Sequence, residues 1–281
     1  MIALYPQKQK KIAVINDFSG FGRCSLTVSI PIISAFGIEC CALPTAIFSN
    51  HTGYEDYYFD DYTDKMEPYF SKWKKLGLEF DGIYTGFLGS DKQINIVTKF
   101  IREFAKPETA VVIDPVMGDN GRTYATLTED LCRHIGQLAG YADILTPNLT
   151  EACILTDYPY RENISDTEEL KTIAAKLQFL GSKNIVITGI NNGNNISNFI
   201  LRQDGTYILQ SLPRTGGQRA GTGDVFASII SADSVNGTAL EDSVKRAAEF
   251  VGRAIALSDR LNIPSQEGVC FEMLLATLNE S

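Results

Sequence analysis

Two hydrophobic rhythms alternate along the chain. Short apolar runs at Lys11–Asn16, Glu39–Ile47, Gly82–Thr85, Ala110–Asp114, Asp143–Thr146 and Asn184–Thr188 carry little polar interruption. Such runs predict strands of a parallel sheet covered on both faces, because a half-solvated strand would alternate. Between them, segments of helical period predict helices near residues 24–36, 64–76, 90–105, 128–139, 148–156 and 166–180. This rhythm predicts an α/β fold, with a mostly parallel central sheet flanked by helices. Farther along, Ile196–Arg202 and Thr206–Gln210 flank Gln203-Asp204-Gly205, and Asp-Gly between such runs predicts a hairpin. Two long helices, near 223–235 and 239–260, close the pattern. In the second, Leu240, Val244, Ala247, Ala248, Val251 and Ile255 recur on one face, the spacing of an amphipathic helix. The sequence shows no internal repeat, low-complexity block or linker, so residues 1–281 are expected to form one domain.

Composition narrows the class. The chain is 44% hydrophobic, and 34 acidic residues outnumber 25 basic ones for a net charge of −9. Nucleic-acid binding needs a basic face, and the one basic cluster, Lys8–Lys11, reads as a solvated tail. No nucleic-acid partner is expected. The most apolar stretch, Val28–Pro44, is broken by Pro31 and Glu39, so no membrane span is expected. Pro6 and several lysines precede the first strand, an arrangement unlike a secretory leader. The cysteines at 24, 40, 41, 132, 153 and 270 form no Cys-x-x-Cys pair. They match no zinc spacing and fit a reducing cytoplasm. The vicinal Cys40 and Cys41 fall in a strand pattern and should point to opposite faces.

Candidate chemistry gathers where predicted strands end. Gly221-Thr222-Gly223-Asp224 precedes the apolar helical run Val225–Ile230. Two glycines let the backbone turn tightly, and a helix start offers unpaired N–H groups to an anion. Asp224 beside such a hole could accept a proton from an alcohol; read otherwise, it is an ordinary N-cap. Asp114 ends a strand, where α/β proteins bind ligands, and could serve a magnesium shell. Thr146-Pro147-Asn148 ends another strand, and Glu151 falls in the next helix's first turn, where the dipole alone would favour an acid. Three acids at three element ends suggest one cleft. Phe48-Ser49-Asn50-His51-Thr52-Gly53-Tyr54 could wall a pocket for a polar ring, although a lone histidine in a turn is commonly structural. Gly20-Phe21-Gly22 lacks the third glycine of a dinucleotide fingerprint, and no P-loop, serine elbow or His-Glu-x-x-His occurs.

Taken in order, these segments resemble the pyridoxal (pyridoxine, pyridoxamine) kinase family of the ribokinase superfamily. The resemblance runs from about Ile12 to about Leu257. It rests on Phe48–Tyr54, Thr85-Gly86-Phe87-Leu88-Gly89-Ser90, Asp114–Gly118, Thr146–Asn148 with Glu151, and Gly221–Asp224. It implies ATP-dependent phosphorylation of the 5′-hydroxymethyl group of a B6 vitamer, with ATP and Mg2+ required and a monovalent cation left open. It further implies Asp224 as base and an anion hole from Gly221, Thr222 and Gly223. Asp114, Thr146 and Glu151 would serve the metal, and Asn148 and Thr188 the nucleotide. Asp17, Ser49, Thr52 and Tyr84 would contact the vitamer, Asp119–Tyr124 would form a lid, and the enzyme would be a cytoplasmic homodimer. One position departs from the family: Asp17 stands where a ring-binding serine is expected, a feature closer to the hydroxymethylpyrimidine kinases. Phosphorylation of hydroxymethylpyrimidine is therefore the alternative. A non-catalytic pyridoxal phosphate carrier is a third reading, against which Asp224 and both glycines argue.

Overall fold

The computed structural model of the protein describes residues 8–124, 128–162, 164 and 166–279; Pro6 lies outside them. Among these, the strands are β1 (Lys11–Ser19), β2 (Glu39–Phe48), β3 (Phe59–Asp61), β4 (Gly82–Thr85), β5 (Ala110–Ile113), β6 (Gly118–Asp119), β7 (Arg122–Thr123), β8 (Ile144–Leu145), β9 (Asn184–Asn192), β10 (Asn195–Leu201) and β11 (Tyr207–Pro213). The helices are α1 (Leu26–Ala35), α2 (Thr63–Lys75), α3 (Asp91–Phe104), α4 (Glu129–Ala139), α5 (Leu149–Thr156), α6 (Thr167–Phe179), α7 (Thr222–Asn236) and α8 (Leu240–Arg260), followed by short 3-10 turns near the C-terminus. Nine strands join one sheet in the order β11-β10-β9-β8-β5-β4-β1-β2-β3. Strands β2, β1, β4, β5, β8 and β9 run parallel, while β3, β10 and β11 add antiparallel edges. Every predicted strand and helix is present within a few residues.

The apolar runs explain the layering. On one face Ile15, Ile83, Val111 and Leu145 pack with Phe100, Ile135, Leu170 and their neighbours from α3, α4 and α6. On the other, Ile12, Val14, Val112 and Val186 meet α1, α7 and α8. Alternation within each strand feeds both layers, and burying each large side chain contributes about 1.5–3 kcal/mol. Helix α7 is buried from Val225 through Asp233 on all sides, so it is apolar around its circumference rather than amphipathic. Cys40 and Cys41 flank opposite layers, as the strand pattern predicts.

Order along the sheet positions the site. The chain leaves β1 toward β2 on one side and returns through β4 on the other, a topological switch. Crevices form at the carboxyl ends of strands beside such a switch. Strand β1 is bulged between Asn16 and Phe18, which re-aims consecutive side chains at its end. Three features lay outside the sequence-based expectations: edge strand β3, the β6–β7 hairpin and the C-terminal turns. Among the described residues, no helix is long and apolar enough to cross a membrane.

Candidate active site

A cavity of about 980 Å³ opens at the carboxyl ends of β1, β5 and β8. Asp17, Asp114, Asn148, Thr146, Glu151, Thr188 and the Gly221–Asp224 turn all line it. The three acids inferred to converge from separate element ends therefore do converge.

Helix α7 begins with Gly221 in the left-handed region (φ 75, ψ 0). A Cβ there would lie 1.9 Å from the Arg23 carbonyl oxygen, so glycine is required by space as well as by φ. The first helical bond is Val225 N–H to Gly221 O at 3.0 Å. The N–H groups of Thr222, Gly223 and Asp224 precede it and lack an intrahelical acceptor, which with the helix dipole suits this end to an anion. The Thr222 hydroxyl turns back to donate to Arg219 O at 3.3 Å, which leaves its backbone to serve the hole. Asp224 is not the N-cap; that place belongs to Gly221, and no side chain caps this helix. Its Oδ1 instead accepts from Asn16 Nδ2 at 3.1 Å, across the cavity floor. Asn16 Oδ1 accepts from the N–H groups of Asp17 (3.0 Å) and Phe87 (2.8 Å), so the amide is fixed from both ends. Burial pushes the Asp224 carboxyl up to about 6, and nearby Asp17 adds to the rise. This raised carboxyl aimed at an anion hole is suited to taking a proton from an alcohol.

Glu151 and Asn148 form a capping box: Asn148 Oδ1 accepts from Glu151 N at 3.0 Å, and Glu151 Oε2 accepts from Asn148 N at 2.8 Å. Glu151 Oε1 also accepts from Met117 N at 3.0 Å. Asn148 Nδ2 donates to Gly118 O at 2.8 Å, which ties it to the loop wall and leaves its second N–H to the cavity. Burial pushes the Glu151 carboxyl up to about 8. Asp114 rises well above its usual range through burial and then through the neighbouring charges of Glu151 and Asp224, against the lowering influence of Thr146. Stacked buried acids of one sign fit a divalent cation, which would neutralise them. Among the described residues no three such side chains form a ready-made metal cage.

Beyond Thr188 the cavity continues as a slot whose walls include Ile196, Leu212, Val251 and Ile255. These apolar side chains suit contact with the face of a planar ring. At the opposite end Phe48, His51, Thr52, Gly53 and Phe87 line the wall.

Two residues expected at the vitamer do not reach it. Tyr84 is fully buried in the layer shared with α1 and α7, its hydroxyl beside Ser29, because β4 alternation turns it away from the cavity. Ser49 is exposed and outside the cavity lining; its hydroxyl donates to Asn50 Oδ1 (2.7 Å) and accepts from Tyr58 N (2.8 Å). Asp17 lines the wall, but its oxygens are engaged by the hydroxyls of Ser19 and of Ser25 in the following turn. The segment expected as a lid is a formed hairpin with Asn120 (φ 52) and Gly121 (φ 73) at its tip. Asn120 exchanges side-chain hydrogen bonds at 3.1 Å with Gln218 of the loop before α7, roofing the phosphate end. Asn16 was missed as a functional residue. Its signal was a polar pair, Asn16-Asp17, ending an apolar strand.

A mostly parallel α/β sheet, ending in a glycine turn at a helix start with a half-buried acid beside it, is the frame of a kinase of the ribokinase-like type. The family profile described as phosphomethylpyrimidine kinase matches residues 33–270, and the chain belongs to that family, whose members include pyridoxal and hydroxymethylpyrimidine kinases. The hydroxymethylpyrimidine/phosphomethylpyrimidine kinase of Haemophilus influenzae is 31% identical over 188 residues, covering 65% of this chain and 67% of the relative. The pyridoxine kinase of Bacillus subtilis is 30% identical over 194 residues, covering 66% of this chain and 68% of the relative. A crystal structure from Bacteroides thetaiotaomicron, assigned as a phosphomethylpyrimidine kinase and holding pyridoxal, is 39% identical with a TM-score of 0.91. That alignment covers 97% of this chain and 96% of the other.

Proposed function

We propose that the protein transfers the γ-phosphoryl group of ATP to the 5′-hydroxymethyl group of a B6 vitamer. The observation that carries the reading is Asp224, freed from capping, held by Asn16 and aimed into the cavity beside three unpaired helix N–H groups. The substrate O–H proton passes to Asp224 as the alcohol oxygen bonds to phosphorus, and the bond to the ADP oxygen breaks. The N–H groups of Thr222, Gly223 and Asp224 hold the phosphoryl oxygens in place. Phosphoryl transfer depends chiefly on such positioning and charge neutralisation. Asp114, with Thr146 and with Glu151 behind it, would hold Mg2+, which supplies neutralisation of phosphate charge when bound. Thr188 borders the phosphates, the apolar slot takes adenine, Thr52 borders the vitamer ring, and the β6–β7 hairpin excludes water. By likeness to the family, the proposal includes a cytoplasmic homodimer.

The wall built by Phe48–Gly53 supports a pyridine ring as the acceptor. The likeness to the Haemophilus enzyme favours a second reading, hydroxymethylpyrimidine. ADP release measured against pyridoxal, pyridoxine, pyridoxamine and hydroxymethylpyrimidine separates them. At least one vitamer should exceed hydroxymethylpyrimidine in kcat/KM by roughly tenfold, the discrimination that about 1.4 kcal/mol of differential binding supplies. The opposite order establishes the second reading, and no ADP release with any acceptor points to a carrier.

A proton count tests the metal end. Burial raises the Glu151 carboxyl, so the metal-free site holds its protons to higher pH than free carboxyls do. A cation favours the carboxylate, so Mg–ATP binding should release protons. Titration calorimetry at pH 7 in two buffers of different ionisation enthalpy should show this release. Identical observed heats in the two buffers, which mean no net proton release, would remove Asp114 and Glu151 from the metal site.

A further inference from the structure

Asp17 is 5% exposed and sits in the β1 bulge beside Asn16. Its Oδ1 accepts from Ser25 Oγ at 2.5 Å and its Oδ2 from Ser19 Oγ at 2.9 Å. A buried carboxylate spent wholly on two hydroxyls is costly unless it holds something in place. Ser25 identifies what is held. Its backbone lies at φ 54, ψ −134, a region that glycine enters freely and other residues do not. Such a conformation persists only where the surroundings over-determine it. The Ser25 carbonyl accepts from Val28 N (3.1 Å), Ser29 N (2.9 Å) and Ser29 Oγ (3.0 Å), starting α1. Its hydroxyl is tied to Asp17, and its backbone is near enough to the Asp224 carboxyl to favour the ionised form. Arg23, two residues earlier, is also left-handed (φ 33), and its carbonyl oxygen fills the space beside Gly221. The turn 22–25 thus abuts both the anion hole and the acid.

We infer that Asp17 is a positioning residue: by anchoring the Ser25 hydroxyl it holds the strained turn 22–25, which packs against Gly221 and so fixes the helix start that carries Asp224. The inference rests on Asp224 being the base. It gives Asp17 a role other than direct contact with the vitamer ring, since each of its oxygens is already engaged by a hydroxyl. A serine at this position could not accept from both hydroxyls across the same span, which gives the acid a reason to be there independent of the substrate.

The test compares Asp17→Asn, Ser25→Ala, Ser25→Gly and Asp224→Asn by kcat and KM, with thermal melts alongside. Asp17→Asn and Ser25→Ala should lose kcat by roughly tenfold to a hundredfold, the scale of a small misplacement of reacting groups. KM for the vitamer and for ATP should stay within about twofold if both side chains act by positioning rather than by binding. Ser25→Gly should recover most of the kcat lost in Ser25→Ala, because glycine holds φ 54 without a tether. That rescue keeps the inference testable even if Asp17→Asn fails to fold. Equal losses in Ser25→Gly and Ser25→Ala overturn it, as does a rise in vitamer KM with kcat unchanged in Asp17→Asn. Wild-type turnover in Asp224→Asn overturns the base assignment and this inference together. Loss in Asp224→Asn with wild-type behaviour at Asp17 and Ser25 overturns the inference alone.

Discussion

Asp224→Asn is expected to lower kcat by about 10²–10⁴-fold, the contribution of a positioned general base. That range equals about 3–5 kcal/mol of barrier at about 1.36 kcal/mol per tenfold. The substitution is nearly isosteric, and an amide oxygen can still accept from Asn16 Nδ2, the 3.1 Å bond that orients the native carboxylate. Fold and nucleotide affinity should therefore survive. The pH profile supplies a second signature. Burial lifts the Asp224 pKa to about 6, and only the ionised form accepts the proton. Activity is thus present above about pH 6 and lost as pH falls through it, with kcat/KM declining on the acid side in the wild type. In Asp224→Asn that limb should vanish, leaving a low and flatter profile. Turnover near that of the wild type, or an unchanged acid limb, removes Asp224 from the role.

Gly221→Ala should damage both stability and chemistry. A left-handed conformation costs an L-residue about 1–2 kcal/mol, and Gly221 has φ 75. The added Cβ would also meet a backbone oxygen, Arg23 O at 1.9 Å, in a turn already strained at Arg23 and Ser25. Backbone cannot swing away as a side-chain tip can, so the start of α7 must move. A total near 2–4 kcal/mol is expected, a large but ordinary value for combined strain and overpacking. For a chain of this size that is a fall in Tm of roughly 5–10 °C. Moving the helix start also displaces the donors of the anion hole, each of which is worth about 10²–10³ in kcat. Gly237→Ala is the control: it sits at the other end of the same helix with φ 81 and open space around it. It should cost about 1 kcal/mol through φ alone and leave turnover intact. Equal effects at the two positions would mean that the close approach to Arg23 has no role.

Local order was readable because its causes act over a few residues. Unbroken apolar runs such as Gly82–Thr85 have one economical fate, a strand buried on both faces, and the structure has that strand between the same residues. Asp204-Gly205 turns between β10 and β11 because glycine at φ 84 relieves the bend. Asn148 and Glu151 stand three apart, the spacing of a capping box, and close one. The β6–β7 hairpin carries an Asn120-Gly121 signal too, but its two-residue strands are too short to show a period.

Partners and facing were not readable. The chain's own pattern brought Asp114, Glu151 and Asp224 to element ends, and that they share a cleft follows from strand order. The pairing of Asn16 with Asp224 spans 208 residues, a distance over which no propensity acts. It exists because β1 and α7 meet at the sheet's switch point. Alternation shows that Tyr84 and Thr85 face opposite ways, but which face becomes solid core depends on α1 and α7 packing there. Asp17 shows the same division. Its type and place are visible in the sequence, yet only the bulge of β1 and the left-handed Ser25 turn its carboxylate inward to two hydroxyls. Sequence determines where backbone conformations are cheap; the tertiary structure decides which side chains then share the space that is left.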